Sequence, residues 1–194
     1  MGASKSLRNK VEMTTAASPV VGGVVERPDG IRHLSPQRAG AFLGLLRVGD
    51  MLEHRLSEDL ESRHGINLRS FEVLLFLAAF APAGQLRMSE LTSEAPLSQS
   101  RVSRLVADLE ARGLVKRTPA ETDGRGVWVS ITDRGIEKFK TAQETHLEDL
   151  DRWLFSHLTD TEVDQLGDVT QRLMRSLSDE IGIRQDESPP THEP

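Results

Sequence analysis

Cysteine is absent from the 194 residues, which excludes a disulfide framework, a Cys-containing zinc site, a thiolate nucleophile and a thiol redox switch. Aromatic residues are scarce, at 4%. No run approaches the roughly 18 apolar residues of a membrane helix, and no apolar signal-peptide core opens the chain. A soluble, cytoplasmic protein is expected. Basic charge is not in excess either: 24 Lys and Arg stand against 30 Asp and Glu, a net −6. At first sight that argues against nucleic acid as a partner. The six histidines form no metal-ligand spacing, no Gly-x-Ser-x-Gly is present, and Gly124-Arg-Gly126 lacks a phosphate-loop context. No enzyme, metal site or cofactor is expected.

What is present is mostly helical period. Residues 1–34 are small, polar and turn-forming, and read as a flexible extension; Val20 to Val25 is too short and glycine-rich for a strand. Ser35-Pro36 opens a helix. Phe42, Leu45, Leu46, Leu52, Leu56 and Leu60 then keep 3–4 spacing, and Gly65 closes the helix. A second helix over 70–81 is apolar nearly all round. Short helices fit 89–95 and 98–112. After Gly113 the period shortens to two, and 114–118 with 127–131 read as a hairpin. Thr132 opens a long helix carrying Ile136, Phe139, Leu147, Leu150, Trp153, Leu154 and Leu158. Thr159-x-x-Glu162 is a capping box for the last helix, with Val163, Leu166, Val169, Leu173, Leu177 and Ile181 on one stripe. Residues 183–194 read as a disordered tail.

The fold class that follows is mainly α with a small β-wing: a winged helix-turn-helix over 66–132, and a helical dimerisation region from 35–65 and 133–182. Apolar stripes on the terminal helices are best buried against a second copy.

In the helix over 98–112, Val102, Leu105, Val106 and Leu109 form the docking stripe. Ser100, Arg104, Ala107 and Ala111 fall opposite, flanked by Arg101 and Ser103. Donors near the start and small residues further along suit a helix entering a major groove. Ser98 is placed to cap it. Charge is sorted along the chain as well. Residues 97–117 hold Arg101, Arg104, Arg112, Lys116 and Arg117 against Asp108 and Glu110, a net +3, whereas 141–194 hold four basic and thirteen acidic residues. Net acidity therefore says little about this face. Glu58, Asp59 and Glu61 read as a solvated helix face, and His54 and His157 as packed or partly buried. Trp128 reads as cover for the wing's outer side, and Trp153 as core or interface.

The run Leu97-Ser-Gln-Ser-Arg-Val-Ser-Arg-Leu-Val-Ala-Asp-Leu-Glu-Ala-Arg-Gly-Leu-Val115, preceded by Met88-Ser-Glu-Leu, resembles the signature of the MarR family of transcription regulators. Asp123-x-Arg125, then Val127 to Thr132 and Gly135, is similar to that family's wing. The resemblance covers about residues 35–180. It implies a homodimer on a pseudo-palindromic double-stranded DNA site, acting as a repressor, and association with the nucleoid. It implies DNA contacts by Ser98, Gln99, Ser100, Arg101, Ser103 and Arg104, with Arg125 in a minor groove and Asp123 orienting the wing. It also implies a small anionic or aromatic effector, for which Arg47, Asp50 and His54 on the first long helix are candidates by position. Pro96 stands where the family's turn usually has Gly, and Ala120 and Thr122 replace an Asp and an Arg of the fuller wing motif. The alternative reading is a winged-helix protein–protein interaction module without DNA binding, and replacing Arg101 and Arg104 discriminates the two.

Overall fold

The computed structural model describes residues 18–20, 22–94, 97–119 and 126–181. The chain divides into two compact units, one to Met51 and one from Leu52. In the first, β1 (Ser18–Val20), β2 (Val24–Glu26) and β3 (Arg32–Leu34) form an antiparallel meander, with Val20 opposite Val24 and Val24 opposite Leu34. The expectation of an extension without regular structure fails over these residues. The glycines that argued against strands make the turns between them. Gly22 and Gly23 reverse the chain at positive φ, and Gly30, also at positive φ, donates to the Arg27 carbonyl at 2.9 Å. Helix α1 (Pro36–His64) follows, started by Pro at its first position as expected.

The second unit holds the core. Helix α1 ends on Gly65 at φ 66°, whose N–H donates to the Glu61 carbonyl. Helix α2 (Leu68–Leu75) is capped by Asn67, which accepts from the Ser70 N–H at 2.8 Å. The predicted helix over 70–81 does not stay α-helical: Phe76–Phe80 is a π-turn, and Pro82–Gly84 a 3-10 turn with Ala83 at φ 53°. A strand absent from the sequence reading, β4 (Gln85–Arg87), then leads into α3 (Met88–Glu94). Helix α4 (Gln99–Ala111) turns at Gly113 into β5 (Val115–Pro119), and β6 (Val127–Ile131) completes a sheet of order β4-β6-β5.

Thr132 caps α5 (Asp133–Trp153) by accepting from the Gly135 N–H at 3.0 Å, while its hydroxyl donates to the carbonyls of Gly113 and Leu114. The long helix expected to reach Leu158 stops at Trp153, because Leu154 leaves helical geometry (φ −130°, ψ −68°) and Phe155–His157 forms a 3-10 turn. Helix α6 (Asp160–Ile181) opens on the expected capping box, the Thr159 N–H donating to Glu162 and the Glu162 N–H to the Thr159 hydroxyl.

Leu60, Phe71, Leu74, Leu77, Leu91, Val102, Val106, Leu109 and Val129 are fully buried together. The Phe71 ring lies 5.7 Å from that of Phe139 and 4.6 Å from the His146 imidazole. By contrast, no residue between 22 and 51 is buried. Phe42, Leu43, Leu45, Leu46, Val48 and Met51 on α1 are exposed, as are Leu166, Val169, Leu173, Met174 and Leu177 on α6. None of the described helices is long and apolar enough to cross a membrane.

Candidate nucleic-acid interface

Helix α4 docks by the stripe the sequence indicates: Val102, Val106 and Leu109 are buried and Leu105 half-buried. On the other side Ser98, Gln99, Ser100, Arg101 and Arg104 are exposed, Ser103 is half-buried, and Ala107 and Ala111 leave the helix slim towards its C-terminus. Ser98 takes the cap position with extended backbone, and its carbonyl accepts from the N–H groups of Arg101 (2.8 Å) and Val102 (3.1 Å). Its hydroxyl does not close on the helix. It meets the Ser100 hydroxyl at 3.2 Å, so the first turn has no side-chain cap. The Arg104 Nε–H donates to the Ser100 carbonyl at 3.3 Å, holding that guanidinium along the helix.

The structure also resolves which charges make up the local +3. Arg112 pairs with Asp108 at 3.6 Å across one helical turn. Arg117 on β5 donates from Nε to Glu110 at 2.7 Å, and its backbone N–H donates to the same carboxylate at 3.0 Å. Arg101, Arg104 and Lys116 are left exposed, with no ion pair among the described residues. The hydrogen bonds from Arg117 hold the Glu110 carboxyl below its ordinary pKa. On the wing, the Arg87 guanidinium lies 5.1 Å from the centroid of the half-buried Trp128 ring, a contact that joins β4 to β6. Asp123 and Arg125, together with Pro96, Ala120 and Thr122, lie outside the described residues.

Helix α5 carries a polar row. The buried Thr145 meets the His64 Nε2 at 2.8 Å, and the Lys138 Nζ donates to the His64 carbonyl at 3.1 Å. Asp149 is 5% exposed; among the described residues its Oδ2, Nδ1 of His146 and Nε1 of Trp153 have no hydrogen-bond partner. Burial, then the nearby Asp59 carboxylate, pushes the Asp149 pKa up, and burial lowers that of His146. Asp59 is half-buried in this cluster, so it does not belong to a solvated face with Glu58 and Glu61. His54 and His157 are exposed, contrary to the packed positions expected for them: the large apolar residues of α1 from Phe42 to Met51 are themselves exposed, and His157 falls in the 3-10 turn after α5. Trp153 is half-buried with the guanidiniums of Arg55 and Arg152 within 5.5 and 4.5 Å of its ring.

A cavity of about 390 Å³ opens between the π-turn, the base of β6 and the start of α5, lined by Leu77, Ala78, Ala83, Ile131, Phe139 and Lys140. None of the effector candidates lines it: Arg47, Asp50 and His54 are all exposed on α1. No cluster of three or more metal-ligating side chains occurs among the described residues.

Comparison with known proteins agrees with this geometry. Residues 64–126 match the model of the MarR family. The chain is 30% identical over 135 residues to the HTH-type transcriptional regulator Mb0904 of Mycobacterium bovis, covering 70% of this chain and 88% of that one. Among solved structures it is similar to Sco3205 of Streptomyces coelicolor, a MarR family transcriptional regulator in complex with DNA (TM-score 0.72, 28% identity, 77% of this chain and 92% of that one). It is also similar to CouR of Rhodococcus jostii RHA1 bound to p-coumaroyl-CoA (TM-score 0.58, 29% identity, 66% and 87%). With a helix-turn-helix, a paired wing and these relatives in agreement, the chain belongs to the MarR family of DNA-binding transcriptional regulators.

Proposed function

We propose that the protein is a ligand-responsive repressor that binds a pseudo-palindromic DNA operator as a homodimer. The observation that carries this is the solvent face of α4 with its strand neighbour: Arg101, Arg104 and Lys116 are the cations that acidic partners leave free, beside first-turn amides without side-chain caps. Two such heads match a two-fold operator, with α4 of each in a major groove and Ser98, Gln99, Ser100 and Ser103 at base edges and phosphates. Asp123 and Arg125 take the wing to the minor groove. The exposed apolar stripes of α1 and α6 supply the dimer seam. An effector that changes the spacing of the two heads lowers affinity, because both half-sites can no longer be met together. CouR with its bound thioester supports a small anionic effector, for which Arg47, Asp50 and His54 remain the candidates on α1.

The test is a mobility-shift titration of the intergenic DNA beside the protein's own coding sequence, using the full chain and the Arg101→Ala/Arg104→Ala variant. Losing two groove cations weakens binding by about a hundredfold or more, with the dimer intact. Unchanged binding by the variant overturns the reading and leaves the protein–protein module in its place.

A further inference from the structure

We propose that the meander β1–β3 is a clasp that docks on a second copy of this chain and extends the dimer seam beyond α1. The inference rests on the homodimer reading and adds to it a surface outside the helices.

The described residues of the first unit form no buried core of their own. Eight large apolar side chains are exposed between 22 and 51: Ile31 and Leu34 on the meander, at 55% and 38%, and the six on α1. No residue of that span is buried. A sheet of three-residue strands with both edges open is not stable alone in water. Something must cover this surface. The 17 residues from Met1 to Ala17 offer Met1, Leu7, Val11 and Met13 as large apolar groups, too few to cover eight.

The meander is also fixed in place relative to the helix it precedes. The Ser35 N–H donates to the Gly23 carbonyl at 2.9 Å, and the Arg38 guanidinium donates to the Gly22 carbonyl. Gly23 itself sits at φ 77°, a conformation that side chains other than glycine's rarely adopt, which holds the turn in this shape. The exposed Leu34 is thereby held at a fixed place just before the start of α1.

A second copy has the matching chemistry. Its α6 presents Leu166, Val169, Leu173 and Leu177, exposed in the single chain, and carries Asp160, Glu162, Asp164 and Asp168 in its first half. Between residues 22 and 51 the first unit brings Arg32, Arg38 and Arg47 against Glu26 and Asp50, with Arg27 paired to Asp29 at 2.9 Å. An apolar stripe flanked by carboxylates suits an apolar surface flanked by guanidiniums.

The experiment uses the full chain and measures the dimer dissociation constant by sedimentation for wild type, Ile31→Asp/Leu34→Asp and Leu173→Asp. The meander variant raises the constant about tenfold or more, with helical circular dichroism unchanged. If Leu173→Asp weakens the dimer and the meander variant leaves it unchanged, the clasp is overturned and the homodimer stands. A wild type that is monomeric at every concentration overturns both. Should the double variant lose helicity, Ile31→Cys, the sole thiol in the chain, decides. Its labelling slows as concentration rises through the dimer constant, and a rate independent of concentration overturns the clasp.

Discussion

Glu110 on α4 and Arg117 on β5 are joined twice, through the Arg117 side chain at 2.7 Å and its backbone N–H at 3.0 Å, so one carboxylate ties the reading helix to the wing and occupies a cation that composition alone assigns to DNA. Each phosphate contact contributes about −0.9 to the slope of log affinity against log salt. Arg101→Ala is therefore expected to make that slope shallower by about one unit. Arg117→Ala should leave it nearly unchanged. Fluorescence anisotropy over a salt series measures both, and equal losses would show that Arg117 leaves Glu110 to meet the backbone of DNA.

Gly135 sits where the first turn of α5 passes under the wing. A Cβ there would run into the Leu114 carbonyl oxygen and lie 2.8 Å from Cγ1 of Ile131. Backbone cannot yield as a flexible side chain can. Gly135→Ala is expected to destabilise the fold by about 1–3 kcal/mol or more through overpacking, read as a lowered urea midpoint with an unchanged m value.

Leu60 and Phe71 are both fully buried, on α1 and α2 respectively. Truncating either leaves a cavity that the surrounding helices fill only in part. Leu60→Ala should cost about 2–5 kcal/mol and Phe71→Ala about 3–5 kcal/mol, by chemical denaturation. A loss below about 1 kcal/mol at both sites would contradict the placement of this core.

Burial lowers the pKa of His146, and burial followed by Lys138 and Arg63 lowers that of His64. A depressed folded-state value adds stability that is fully present above the unfolded value, about 6.5, and is lost as pH falls through the folded one. Unfolding free energy should therefore decline from pH 7.5 towards 5.5. His146→Gln should show a shallower decline; an identical profile refutes the assignment.

Asp149 has the opposite sign. Its raised pKa means that its contribution is present below the unfolded value of about 3.9 and is lost as pH rises through the folded one. At neutral pH the carboxylate is buried, lacks a partner at Oδ2 among the described residues and faces Asp59. Asp149→Asn is expected to raise stability at pH 7 by about 1 kcal/mol and to lose that gain near pH 4. Thermal melts at the two pH values check it.

Features with a local cause were legible in the sequence. The docking stripe of α4, Pro36 at the start of α1, Gly65 and the Thr159–Glu162 box depend on residues within one or two turns of each other. β4 was not legible, since Gln85, Leu86 and Arg87 become a strand only by pairing with Ser130, Val129 and Trp128, more than forty residues on. The meander was not legible because the same glycines that weaken a strand interior also supply the positive-φ turns between three-residue strands. In the site, residue types and exposure on α4 could be read from periodicity. The partition of its cations could not, because Arg117 meets Glu110 only once β5 has folded back along the helix.

The sheet order β4-β6-β5 makes the helix-turn-helix a closed hoop, since the strands that enter and leave it are both laced to β6. Helix α5 grows directly from the end of that same strand, with Thr132 bonded across to Gly113 and Leu114. A displacement of α5 is therefore expected to carry β6 and its two partner strands with it, so that a signal arriving by this route changes where the reading surface is aimed.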